Sequence, residues 1–339
     1  MNYFIDIRGK DKNTADIKAP ADMCHIMSKR GYTPIVFERT KKKGRNIGSF
    51  LCHVKNWLRA FAGISSKSLL VYQYPIALSK ISIIMMKTLV KIKKLRLVFL
   101  IHDIDSLRNY NASSNSSREK LFKECAGLIC HNESMKRYLV EQGIDEKKIV
   151  PLYVFDYINE DDFVEIGNDT SVIIAGNLNT QKSKYIDALL KEDRGFHINL
   201  YGPNFVEKPE YKDYTYFGSF PPEQLCSHLK GSFGLVWDGD SIDECSGPTG
   251  RYLQYNNPHK VSLYISSGIP VIIWDKAALS KYISDNSLGY SVGSLRDVAN
   301  LISTGVDDLN DIKRNVIEEG KRLREGDYLN QALDKIEQM

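Results

Sequence analysis

The chain has 339 residues, 42% of them hydrophobic and 26% charged, with a formal net charge of +4. That balance excludes a disordered or fibrous chain and fits a globular protein long enough for two domains. Its six cysteines lack zinc or disulfide spacing, which argues against a secreted disulfide scaffold and points to a reducing, cytoplasmic setting.

The opening "MNYFIDIRGKDKN" reads as a strand and a polar loop rather than a secretory signal. Strands are expected at 3–7, 34–37, 68–72, 95–101 and 127–130, with helices between them at about 16–30, 49–62, 77–94, 117–124 and 133–142. The greasy stretch 76–101 is interrupted by Lys80, Lys87, Lys91, Lys93 and Lys94. It is expected to form an amphipathic helix and then a buried strand, since a membrane span needs about 20 apolar residues. Residues 152–170 are acidic and irregular, and read as a connector. The second half repeats the plan, with strands at 171–175, 197–201, 214–217, 233–237 and 271–274. Its helices fall at about 183–191, 222–230, 258–267, 277–283, 295–302 and 308–325. Such alternation predicts two doubly wound, Rossmann-like α/β domains, 1–155 and 156–339, facing a cleft, with the final helices packing back on the first domain. Basic residues concentrate in the first 150 positions and acidic ones in the remainder. The two domains therefore meet different partners, and the basic one suits nucleic acid, an anionic membrane surface or a phosphorylated lipid.

Polar groups gather where strands lead into helices, the usual ligand side of such sheets. In "IRGKDKNTADI", Thr14 serves equally as a helix N-cap or as a ligand contact from the first domain. Neither GxGxxG nor a P-loop appears, which disfavours a dinucleotide enzyme. "LIHDIDSLR" places His102, Asp103, Asp105 and Arg108 after the fourth strand; they pair within the loop, supply a general base, or form an Asp-x-Asp metal site. "WDGD" (237–240) is a second, equally short Asp-x-Asp.

"IIAGNLNTQKSKYI" offers Gly176 for close backbone approach, Asn177 as a donor and Lys182 at a helix entrance. "NLYGPNF" puts Tyr201 and Gly202 after the next strand, where the ring stacks on a base or fills the core. "YNNPHKVSLYISSGIPVI" opens a helix with Asn257 as N-cap and Pro258 as first helical residue. His259 and Lys260 follow, adding positive charge to an already positive helix end. An anion in front of that end, a phosphate above all, would resolve the conflict.

The run "GLVWDGD…GRYLQYNNPHKVSLYISSGIPVIIW" (234–274) resembles the bacterial β-1,6-galactofuranosyltransferase family, and "KNTAD" and "HDIDSLR" resemble it too. These are two-domain GT-B enzymes of cell-surface polysaccharide assembly, related to a streptococcal adhesin glucosyltransferase. The resemblance implies a UDP-sugar donor, UDP-galactofuranose first, held by the second domain. Lys260 and its helix start would bind the diphosphate, Lys182 would stand as a basic donor contact, Tyr201 and Gly202 would line the nucleotide, and Thr14 would close over it. Many retaining GT-B enzymes carry two glutamates where this chain has Tyr255 and Leu263, so an inverting reaction is expected. Asp103 is the first candidate base and His102 the second. No metal is expected, the acceptor is a growing, lipid-linked glycan, and relatives imply a homo-oligomer. The alternatives are a metal-dependent GT-A-type transferase using Asp103 and Asp105, and a UDP-glucose-dependent protein-glycan glucosyltransferase. A non-enzymatic sugar-binding or nucleic-acid-binding protein is disfavoured, because the usual nucleic-acid recognition signatures are missing and the cleft residues lie largely in the acidic half.

Overall fold

Strands that are apolar at nearly every position need cover on both faces, and here they receive it twice. The computed structural model describes residues 1–8, 15–38, 47–75, 80–108, 119–165, 171–181, 183–303 and 309–339. The first parallel sheet contains β1 (Tyr3–Arg8), β2 (Thr33–Glu38), β3 (Leu69–Tyr74), β4 (Arg96–Ile101), β5 (Gly127–Cys130) and β6 (Ile149–Pro151), in the order β2-β1-β3-β4-β5-β6. The second contains β7 (Val172–Ala175), β8 (Ile198–Tyr201), β9 (Tyr214–Tyr216), β10 (Phe233–Val236), β11 (Val271–Trp274) and β12 (Gly289–Val292), in the order β12-β11-β10-β7-β8-β9. The expected architecture of two doubly wound sheets is therefore present. Every strand expected from the sequence forms; β6 and β12 are additions.

The helices of the first half are α1 (Ala15–Lys29), α2 (Ile47–Ala62), α3 (Lys80–Lys93), the short α4 (Asp105–Arg108) and α5 (Glu133–Glu141). Those of the second are α6 (Lys184–Lys191), α7 (Pro222–His228), α8 (Gly247–Tyr252), α9 (His259–Ser266), α10 (Ser280–Asp285), α11 (Asp297–Ser303), α12 (Leu309–Glu325) and α13 (Asp327–Gln338). The first sheet is covered differently on its two faces. Trp57 and Phe61 of α2, Met86 and Leu89 of α3 and Met135 of α5 share one core with Tyr3, Ile5 and Phe99. Met23, Ile26 and Met27 of α1 and Leu329, Leu333 and Ile336 of α13 share the other with Phe4, Val71 and Val98.

The last helix thus returns to the first sheet, and named contacts hold it there. Arg30 pairs with Asp334 at 2.5 Å and Glu337 at 3.0 Å, and Arg96 donates to the Ile336 carbonyl at 2.7 Å. Its first turn is capped from a distance: Asp156 accepts the Tyr328 and Leu329 amides at 3.1 and 2.7 Å. Asp156 is fully buried, and that burial pushes its carboxyl up to about 7 despite the two amides. Residues 152–165 form no helix or strand and link the two sheets, in keeping with the reading of 152–170 as an irregular acidic connector, but the start of the segment is packed. Leu152 and Val154–Tyr157 at its start are buried, with Tyr153 exposed between them, and from Ile158 the segment is half-buried to exposed.

Among the described residues no helix is long and apolar enough to cross a membrane.

Candidate active site

In the second sheet the strand order reverses between the parallel strands β7 and β10, which opens a crevice at their carboxyl ends. Three loops and one helix start meet there. Gly176 follows β7 and Gly202 follows β8, at φ +136° and +141°. A Cβ on Gly202 would lie 1.7 Å from the Gly176 carbonyl oxygen, so only glycine allows these backbones to touch. Helix α9 is fixed beneath them by Tyr264, whose hydroxyl accepts the Ala175 amide at 3.0 Å and donates to the Ile173 carbonyl at 3.2 Å. Gly234 makes room for that ring, since a Cβ there would sit 2.2 Å from it.

At the mouth of α9, Lys260 lies across Gly176; a Cβ on Gly176 would meet its Cε at 3.3 Å. Its Nζ is 3.5 Å from the Trp237 carbonyl at the end of β10, and among the described residues no carboxylate pairs with it. Pro258 occupies the N-cap position and provides no side-chain cap. The first amides of α9, the positive pole of its dipole and an ammonium with no carboxylate partner among the described residues therefore point at one place.

Across the junction stand the carboxyl ends of β4 and β5. Asn257, just before α9, is 3% exposed and ties the two domains together. Its Nδ2 donates to the His131 carbonyl at 2.7 Å and the Tyr153 carbonyl at 3.1 Å, and its Oδ1 accepts from Asn132 Nδ2 at 2.7 Å. Its own amide donates to His131 Nδ1 at 2.8 Å, which makes Nε2 the protonated nitrogen of His131.

Phe155 gathers three imidazoles: His102 stacked at 5.4 Å, His131 edge-on at 4.9 Å and His259 at 5.1 Å. Burial pushes His102 and His131 down to about 3 and His259 to about 4, so all three are neutral at pH 7. The tautomer of His102 is fixed as well. Gln73 Nε2 donates to the Pro20 carbonyl and to Cys24 Sγ, each at 3.1 Å, so its Oε1 faces His102 Nε2 at 2.6 Å. That nitrogen carries the proton, and the buried Nδ1 keeps its lone pair.

Asp103 is placed differently. Its carboxylate pairs with Arg108 at 3.0 Å and its side chain is 31% exposed. Beside it the Tyr252 hydroxyl accepts the Ile104 amide at 3.0 Å; burial first and the Asp103 charge second push that phenol well up.

Four expectations change on this geometry. Asn257 does not cap α9, because its side chain is spent on the other domain; Pro258 is the N-cap, not the first helical residue. His259 brings no charge to a phosphate, because its half-buried ring packs against Phe155 with Nε2 enclosed, and desolvation lowers it to about 4. Tyr201 has no free face for a base: it is fully buried, stacked on Phe217 at 4.9 Å, and its hydroxyl accepts the Lys230 amide at 2.9 Å. Gly202 alone of that pair reaches the crevice. Asn177 sits there too, with Oδ1 accepting from the Asn179 amide and Asn204 Nδ2, each at 3.1 Å, as a turn-former. Thr14 and Lys182 lie outside the described residues, as does the side chain of Asp105. Reasoning from sequence missed Gln73, His131, Asn132 and Phe155. Asn132 had a readable signal, an Asn ahead of Glu133 and an apolar helix, and its Oδ1 does cap α5 through the Met135 amide at 3.0 Å.

Comparison with known proteins places this geometry. Family descriptions for the N-terminal and C-terminal domains of glucosyltransferase 3-like proteins match residues 1–154 and 172–336. The chain belongs to the glucosyltransferase 3-like family. This glycosyltransferase is 35% identical over 344 residues to the β-1,6-galactofuranosyltransferase WbbI of Escherichia coli K12, covering 98% of each chain. It is 23% identical to glucosyltransferase 3 of Streptococcus gordonii, over 72% of this chain and 71% of that one. Among solved structures it resembles the lipopolysaccharide outer core galactosyltransferase WaaB in its apo form, with TM-score 0.61, 14% identity and coverage of 98% and 99%. A glycosyltransferase from Rickettsia africae gives TM-score 0.59, 14% identity and 99% coverage of both chains. The fold is GT-B, and its two separate parallel sheets set aside the GT-A alternative.

Proposed function

We propose that this glycosyltransferase moves a sugar, galactofuranose first, from its UDP-linked form to a growing, lipid-linked cell-surface glycan, with inversion at the anomeric carbon. The observation that carries the donor reading is Lys260, an ammonium held over bare glycine backbone at an uncapped helix start and paired with no carboxylate among the described residues. A diphosphate there would receive the ammonium, the first amides of α9 and the helix dipole together. Galactofuranose is favoured over glucose because the full-length relative named for that sugar is more similar than the one named for glucose.

In the step itself, the acceptor hydroxyl oxygen bonds to the anomeric carbon as the bond from that carbon to the UDP oxygen breaks. Asp103 takes the hydroxyl proton, and UDP leaves with the electron pair. Asp103 is preferred to His102 because its carboxylate is accessible, whereas the His102 ring nitrogens are buried or bonded. Arg108, paired with it at 3.0 Å, would hold that carboxylate in place. Inversion agrees with Tyr255 and Leu263, which are aromatic and aliphatic where a retaining pair would be acidic. The same proposal includes work at the inner membrane face as a homo-oligomer, which light scattering would read.

Thermal melts with nucleotides test the donor class. UDP should raise the melting temperature more than ADP or GDP, because ligand that binds only the folded state stabilises it. Equal shifts with all three would refute it. Asp103→Asn should leave UDP binding intact and lower turnover on the order of a hundredfold or more; full activity would remove Asp103 as the base.

A further inference from the structure

No Asp or Glu occurs between Glu38 and Asp103, a stretch that contributes α2 and α3 and is rich in Lys and Arg. The two helices pack side by side on the sheet face away from α1 and α13. Their outer surface mixes cations with uncovered aliphatic side chains. Leu58 is 53% exposed on α2, between Lys55 and Arg59; on α3, Ile84 is 63% and Ile92 69% exposed, alongside Lys87, Lys91 and Lys94. The lysines are not all alike. Lys93 is structural, donating to the Ala62 and Ile64 carbonyls at 3.2 and 2.6 Å, and Lys87 pairs with Glu124 at 2.6 Å.

Isoleucines with more than half their surface in water are costly to leave uncovered, and a ring of lysines does not suit a neutral protein partner. Both features suit an anionic bilayer, where aliphatic tips enter the acyl boundary and ammonium groups meet the headgroups. We infer that the α2–α3 face is a monotopic docking surface for an anionic lipid membrane, with Ile84, Ile92 and Leu58 entering the interface and Lys91, Lys94, Lys55 and Arg59 contacting phosphate. The face lies across the sheet from α1 and α13, so docking leaves their contacts untouched. The inference deepens the reading of a lipid-linked acceptor, but vesicle binding is measured without any sugar nucleotide, so the two fail separately.

The test is co-sedimentation of the full chain with vesicles of phosphatidylglycerol and phosphatidylcholine, against vesicles of phosphatidylcholine alone. The parent should bind the anionic vesicles at low salt and not the neutral ones. Each basic residue near an anionic leaflet is worth about fivefold in partition, so Lys91→Glu with Lys94→Glu should weaken binding on the order of 25-fold or more. Ile84→Ser with Ile92→Ser should remove the part of the binding that survives added salt, because aliphatic insertion is not screened. Lys212→Glu, an exposed reversal in the second domain, should bind as the parent does, and UDP affinity should be the same in all. Failure of the parent to bind anionic vesicles, or equal binding by the double reversal, would overturn the inference. Equal weakening by Lys212→Glu would also overturn it, by showing general charge attraction rather than a face.

Discussion

Replacing Asn257 with alanine deletes three side-chain hydrogen bonds that cross from the start of α9 to the other domain: to the His131 carbonyl, the Tyr153 carbonyl and Asn132 Nδ2. At about 1 kcal/mol net for each, the loss is roughly 3 kcal/mol. Two of the partners keep other bonds, His131 O from the Tyr153 amide and Asn132 Nδ2 to the Tyr255 carbonyl, which holds the figure near that value rather than above it. A lost N-cap alone would cost about 1 kcal/mol. With each kcal/mol worth about 1.4 °C in a chain of 339 residues, Asn257→Ala should melt roughly 4 °C below the parent. Denaturant titrations of Asn257→Ala, Asn132→Ala and the double variant would complete a cycle, and a coupling of about 1 kcal/mol is expected for the direct pair. A loss near 1 kcal/mol that adds to Asn132→Ala without coupling would refute the interdomain role and restore the capping one.

Three further outcomes follow from the same geometry. His259 is held near pKa 4 by burial against an unfolded value of about 6.5, so the stability it carries is present above pH 6.5 and is lost as pH falls towards 4, by up to about 1.4 kcal/mol per unit. Asp22 and Asp156, raised by burial to about 6 and 7, run the opposite way. The comparison is therefore the difference between the parent and His259→Gln across that window; parallel curves would show that the ring is not buried neutral. Gly202→Ala should weaken UDP binding at least tenfold by calorimetry, because its Cβ would sit 1.7 Å from the Gly176 oxygen and force the two loops apart; parental affinity would mean these loops are remote from the nucleotide. Turnover should survive excess EDTA, whereas a loss restored by Mn²⁺ would make Asp103 and Asp105 metal ligands.

The alternation of strands and helices was legible because each central strand is an unbroken apolar run, as "LLVYQY" and "RLVFLI" are. β6 and β12 escaped for opposite reasons. "IVP" is three residues long, and "GYSV" is half exposed, so neither shows a run. The site was legible where chemistry acts locally: a lysine at a helix start is conspicuous whatever surrounds it. It was not legible where a distant partner wins. Asn257 obeys every local rule for a cap, yet three bonds to another domain outweigh one bond to its own helix. Tyr201 follows a strand in the position of a ligand contact, and only Phe217 and the Lys230 amide reveal that its ring is core. Asp156 caps α13 from far along the chain, a pairing no local pattern encodes.

The account rests on Lys260 as the cation that receives the donor diphosphate. Titrating UDP calorimetrically into Lys260→Ala beside the parent, with thermal melts of both, tests it most directly. A first-turn lysine adds little to helix stability, so the melts should coincide. Losing a charge-assisted contact of roughly 1.5–3 kcal/mol should weaken UDP binding on the order of tenfold to a hundredfold, and Lys260→Arg should recover only part of it. If Lys260→Ala binds UDP as the parent does but melts well below it, the lysine is structural and the phosphate does not sit at the start of α9.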